Sequence, residues 1–137
     1  MKVLLDANVL VSVLNQEVPT YSYSSRIVSL AGGQRFKIYT TPLSLAIAFY
    51  FAEKKNRSTA KHRVGILASH LNICEMNART VESAAKDKRV HDFEDGLQYY
   101  SALESGCKII ITEDQEDFYF SDIEVINSRS FMEKYIF

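Results

Sequence analysis

Four aspartates, Asp6, Asp95, Asp114 and Asp117, stand where carboxylates have chemical use. Asp6 follows the apolar run Val3-Leu4-Leu5 directly, a place where a charge is costly to desolvate unless donors or cations answer it. Asp114 and Asp117 follow Ile109-Ile110-Ile111-Thr112, and Asp95 lies three residues beyond Asp92 at the start of a helical pattern. Carboxylates gathered in one cleft repel one another, and Mg²⁺ or Mn²⁺, which take hard oxygen ligands, offset that repulsion. The chemistry such a cleft suits is metal-assisted hydrolysis of a phosphodiester. One ion would activate water and orient the phosphate, and a second, where present, would sit about 3.5–4 Å away and stabilise the leaving oxygen. Asn8 and Thr112 are of the right type to hydrogen-bond ligands or water at such a site.

Each residue also has a purely structural reading. Asp92 is first of all a helix cap, and Asp95 and Glu94 complement the positive end of the same helix. Asp114 and Asp117 belong to the acidic turn Glu113-Asp114-Gln115-Glu116-Asp117. Asn8 and Thr112 could serve as local caps or turn supports. Asp6 is the hardest of the set to explain in structural terms alone.

For these acids to meet, the elements carrying them must be neighbours, and the pattern of the chain predicts that they are. Apolar runs at 2–5, 36–40, 71–74, 108–112 and 124–126 read as strands, the fourth most strongly, because unbroken β-branched residues suit a central parallel strand covered on both faces. Helices are expected over 7–14, 24–31, 43–55, 57–69, 78–88, 92–106 and 128–135, with a loop over 15–23. Thr41-Pro42 reads as a cap followed by proline in the first turn. Strands alternating with helices imply an α/β fold, a mostly parallel sheet between helical layers with right-handed crossovers and binding at the carboxyl ends of the strands.

Size and composition set the frame. A chain of 137 residues with 47% hydrophobic and 24% charged residues is expected to form a single globular domain over 1–137. The net charge of −1 leaves no overall basic footprint for nucleic acid. A local basic stretch, Lys54, Lys55, Arg57, Lys61, His62 and Arg63, could contact phosphates or could simply be a solvated helix junction; Arg26, Arg35 and Lys37 lie elsewhere. Tyr21, Tyr23, Tyr99 and Tyr100 are expected in the core, at a partner interface or stacked on a base. His62, His70 and His91 have no ligand spacing, and Cys74 and Cys107 read as core residues in a cytoplasmic protein with no membrane segment.

Three blocks together resemble the PIN-domain family, which includes the toxin ribonucleases of bacterial toxin–antitoxin pairs. They are Val3-Leu4-Leu5-Asp6-Ala7-Asn8-Val9-Leu10, Asp92-Phe93-Glu94-Asp95-Gly96-Leu97-Gln98 with Ala102 beyond it, and Ile110 to Phe118. The resemblance implies a three-layer sandwich and metal-binding acids at Asp6, Asp95 and Asp114, with Asp117 contributing and Asp92 a lesser match. It also implies Mg²⁺ or Mn²⁺ as cofactor, RNA as substrate, dimerisation, and an antitoxin partner for a toxin-type member. One family feature is missing. The segment Thr41 to Ala48 has the expected shape, yet Ile47 stands near the position where the family carries a second acid, usually Glu. Ile binds no ion. Glu53 lies six residues further along the same helix, about 9 Å of axial rise away, and is a poor substitute. Two functions therefore stand side by side: a metal-dependent endoribonuclease of the toxin type, with activity reduced by the missing acid, or a PIN-like module that binds RNA or protein without efficient hydrolysis.

Overall fold

The computed structural model describes residues 1–137. The strands are β1 (Lys2–Leu5), β2 (Lys37–Thr40), β3 (Asn72–Ile73), β4 (Ile109–Ile111) and β5 (Glu124–Ile126). The helices are α1 (Ala7–Leu14), α2 (Tyr21–Ser29), α3 (Pro42–Lys55), α4 (Ala60–Ser69), α5 (Ala78–Lys86), α6 (Phe93–Glu104) and α7 (Ser128–Tyr135). The strands form one sheet in the order β3-β2-β1-β4-β5, and every pairing is parallel. The chain builds outward from β1 on one side, then returns to lay β4 on its other side, with Leu5 opposite Ile111. That reversal puts a switch point, where open α/β sheets form their clefts, at the carboxyl ends of β1 and β4.

Alternation along the strands assigns the two faces. Val3, Leu5, Ile109 and Ile111 point into the larger core, where they meet Val9 and Leu10 of α1, Ala48 and Ala52 of α3 and Phe131 of α7. Leu4 and Ile110 point the other way, onto Tyr99 and Ala102 of α6. Both faces are covered, which accounts for the unbroken apolar strands. The result is an α/β three-layer sandwich, as the sequence predicts. No helix is long and apolar enough to cross a membrane.

Most boundaries fall where local chemistry puts them. Thr41 caps α3 by accepting from the Ser44 amide at 2.9 Å, and Pro42 occupies the first turn. Asp92 caps α6 by accepting from the amides of Glu94 (2.9 Å) and Asp95 (3.3 Å). Three expected boundaries fail. Helix α2 starts at Tyr21, inside the predicted loop, because the turn joining the Tyr21 amide to the Glu17 carbonyl already delivers the chain into helical geometry after Pro19. Helix α4 starts at Ala60 and not at 57, since Ser58 turns its hydroxyl to Asn56 and Thr59 makes no side-chain cap. Helix α5 ends at Lys86, two residues short, where Asp87 leaves helical geometry and pairs with Arg89. Residues Gln115–Phe118 form a 3-10 turn that the acidic composition of the segment concealed.

Helix α6 is positioned by close contact with α5 at Gly96, next to Asp95. A Cβ built there would lie 2.7 Å from Val90 Cγ1 and 3.1 Å from Ala84 Cβ. Gly96→Ala therefore gains about 1 kcal/mol of helix preference but carries an overpacking cost of about 1–3 kcal/mol. Urea denaturation should find the variant less stable by about 1 kcal/mol; equal or greater stability would mean that the α5–α6 contact yields without strain.

Candidate active site

The Thr112 hydroxyl ties together the ends of β1 and β4. Fully buried, it donates to Asp6 Oδ2 at 2.9 Å and accepts from Asn8 Nδ2 and from the Asp114 amide, each at 3.1 Å. Its single hydrogen and both lone pairs are thereby used. Asp6 caps α1, accepting from the Ala7 amide at 2.8 Å, and its own amide donates to the Ile111 carbonyl. Asn8, in the first turn of α1, spans the gap: its Nδ2 also donates to Asp114 Oδ2 at 3.2 Å, while its Oδ1 accepts from the Glu113 amide at 3.1 Å. Two segments far apart in sequence, 6–8 and 111–114, are fixed in one hydrogen-bonded knot.

A cavity of about 360 Å³ opens above this knot. Asp6, Asp95, Asp114 and Asp117 all line it, as does Asn8. Thr112 lies beneath, and Asp92 stays outside the lining as a cap. Two further carboxylates line the same cavity, Glu17 from the loop after α1 and Glu94 beside Asp95. In the sequence Glu94 reads only as a partner of the helix end, and Glu17 offers no signal at all; it follows Gln16, which adopts a left-handed conformation at φ 51°. Ile47 and Phe51 of α3, with Val11, form the apolar part of the wall.

Gln98 is the other residue whose part the sequence did not disclose. One turn along α6 from Asp95 and almost fully buried, it accepts from the Thr41 hydroxyl, donates to the Ser44 hydroxyl and reaches Asp6 Oδ1 at 3.5 Å. It thus joins the starts of α3 and α6 to the end of β1. In the sequence it stands only as the end of the block Asp92 to Gln98, with nothing to show that it faces inward.

The electrostatics are one-sided. None of the five ion pairs of the chain includes an acid of the cavity. Burial pushes the Asp6 carboxyl above the usual carboxylate range; the Ala7 amide and Thr112 hydroxyl oppose that, while Asp114 and Asp117 add to it. Asp95 is pushed up to about 7 by partial burial and then by the charges of Asp92, Asp117, Asp6 and Glu94. Asp117 is raised by burial and by Asp114, Glu116 and Asp92. No group of three or more His, Cys, Asp or Glu side chains is drawn together closely enough to make a ready ligand cage. The donors are nevertheless all oxygens, they face one cavity, and no protein cation neutralises them. That chemistry fits a hard divalent ion and offers little to a soft one.

A family model for the PIN domain matches residues 2–116, and the chain belongs to that family. It is similar to Ribonuclease VapC1 of Aquifex aeolicus strain VF5, at 29% identity over 138 residues covering 98% of this chain and 95% of the relative. Among solved structures, VapBC-1 from nontypeable Haemophilus influenzae aligns with a TM-score of 0.71 and 15% identity, over 94% of this chain and 99% of that one. Mycobacterium tuberculosis VapC20, described as a Sarcin-Ricin loop cleaving toxin, aligns at 0.69 and 15%, over 90% and 98%. At such identities the two structures speak for the fold.

The raised Asp95 carboxyl has a consequence for stability. Asp95 holds its proton more tightly folded than unfolded, so between about pH 4 and pH 7 the folded state carries the extra proton and stability falls as the pH rises. In chelator, urea denaturation at pH 4 and pH 8 should show Asp95→Asn gaining on the parent as the pH rises. Parallel pH profiles would show that the folded and unfolded chains bind this proton alike.

Proposed function

We propose that this protein is a divalent-metal-dependent endoribonuclease of the toxin type, hydrolysing RNA phosphodiester bonds in the acidic cavity. The observation that carries the reading is the set of aspartates lining one cavity at the switch point of a PIN fold with no cation of the protein's own to neutralise them. Asp6, Asp95 and Asp114 would hold Mg²⁺ or Mn²⁺, with Asp117 supporting from the outer side. When bound, the ion would supply the positive charge that draws in the scissile phosphate and acidifies water.

The remaining work falls to the chain. Thr112 fixes the rotamer of Asp6, and Asn8 fixes that of Asp114, so these carboxylates need little reordering to receive an ion. Asp95, pushed up to about 7 by partial burial and then by the neighbouring carboxylates, would give up its proton on taking the ion, because a ligating carboxylate must be deprotonated. Gln98 holds the inner side of Asp6 against α3 and α6. An antitoxin partner and a homodimer belong to the same reading; VapC20, described as a toxin, supports its toxin side.

Ile47 favours a second reading. It puts an apolar side chain in the wall of the cavity where a further carboxylate would complete an oxygen cage. A PIN-like module that binds RNA or a protein partner with little hydrolysis would have the same surface.

Cleavage of a varied RNA pool in Mn²⁺ separates the two. The nuclease reading expects metal-dependent cleavage that drops by about 100-fold or more in Asp6→Asn, and that falls in Asp95→Asn. It also expects Ile47→Glu to tighten Mn²⁺ binding by adding an oxygen donor to the wall. A parent that neither binds Mn²⁺ nor cleaves RNA would leave the binding module as the correct account.

A further inference from the structure

The chain's charge is unevenly divided. Between Glu53 and Glu75 there is no carboxylate, while Lys54, Lys55, Arg57, Lys61 and Arg63 all fall in that interval in a protein whose net charge is −1. None of these five side chains enters an ion pair. The interval begins at the acidic cavity. Ile47, Phe51 and Lys55 follow one another at four-residue spacing and so form a single stripe along α3. Ile47 and Phe51 line the cavity; Lys55, one turn on, lines the next depression together with Gln16, Thr59 and Arg63. Glu17 lies in the wall of the first and Gln16 in that of the second, so the two hollows adjoin.

The surface between them has the composition that single-stranded nucleic acid requires. Phe51 is 44% exposed and Tyr50 53%, the two rings meeting edge to face at 5.4 Å. Lys54 Nζ sits 4.4 Å from the Tyr50 ring and 5.8 Å from that of Phe51. In the depression, the Thr59 hydroxyl has no hydrogen-bond partner. Aromatic rings give bases a stacking platform, and cations beside them take the phosphates. A protein partner would be served as well by the apolar rings, but Lys55 and Arg63 in the depression that adjoins the acidic cavity, with Lys54 against the rings, favour a polyanion.

We propose that the RNA strand leaves the acidic cavity over the Ile47–Phe51 wall and crosses to the α3–α4 corner, one base packing on Phe51 and a following phosphate held by Lys55 and Arg63. This rests on the RNA-cleaving reading of the cavity and adds the path of the substrate beside it. Lys55 also donates to the Asn15 carbonyl, so Phe51 and Arg63 are the cleaner probes.

The test measures fluorescence anisotropy of a labelled single-stranded RNA pool at two salt concentrations, in Ca²⁺ to hold cleavage down, beside the Mn²⁺ cleavage assay. Phe51→Ala should weaken binding by at least about fivefold with the salt slope unchanged. Arg63→Ala should reduce that slope by about 0.7, the loss of one phosphate contact on a single strand. In the cleavage assay both variants should show a raised KM, and Arg63→Ala, which lies outside the acidic cavity, should retain kcat. Phe51→Leu keeps the apolar bulk, removes the stacking face and must also weaken binding, which covers the case in which the alanine variant does not fold. A parent that binds and cleaves RNA while the variants match it in affinity and KM overturns the path and leaves the nuclease reading standing. Variants that match it on RNA but lose a protein partner overturn it too, assigning the strip to that protein. A parent that neither binds nor cleaves RNA removes the nuclease reading and the path together.

Discussion

The hydrogen bond from Thr112 to Asp6 links the last residue of one strand's apolar run to the end of its neighbour, and the geometry of the cavity follows from it. Parallel pairing of β1 with β4 brings Leu5 and Ile111 opposite each other, so the residues just beyond them must meet. The Thr112 hydroxyl is fully buried and must be satisfied; an unmade hydrogen bond there would cost about 1–3 kcal/mol. It is satisfied by Asp6, Asn8 and the Asp114 backbone at once. The need to satisfy one buried hydroxyl therefore fixes the Asp6 carboxylate and the Asp114 backbone, and Asn8, bound to the same hydroxyl, holds the Asp114 carboxylate.

The same arrangement leaves those carboxylates without a counterion. Elsewhere the chain answers its acids in the ordinary way: Asp87 pairs with Arg89, Glu124 with Lys134, Glu82 with Lys86. In the cavity the acids answer one another only with repulsion, and burial first, then that repulsion, holds Asp6, Asp95 and Asp117 above their usual range. Stability is given up at the one place where the fold gathers negative charge, a pattern expected of a site shaped for a cation and for chemistry on a phosphate.

Much of this was legible in the sequence because its causes are local or periodic. Unbroken β-branched residues at Ile109-Ile110-Ile111 marked a strand covered on both faces, and Thr41-Pro42 and Asp92 marked helix starts through capping chemistry. Asp6 stood out because an acid after a buried strand needs a reason. What escaped notice depends on tertiary placement. Glu17 lines the cavity just after a left-handed residue, Gln16, which no pattern announces. Gln98 connects three elements, and only their packing gives it that part. The early start of α2 and the late start of α4 turn on single backbone hydrogen bonds and an unmade cap, details that composition does not encode.

The central claim is that the aspartates of the cavity hold one divalent ion in common. Paramagnetic broadening of amide resonances by substoichiometric Mn²⁺ tests it most directly. The account predicts that signals of residues around Asp6, Asp95 and Asp114 disappear together and first, while those of α7 and α4 persist. Broadening centred elsewhere, or spread evenly over the acidic surface, would contradict it.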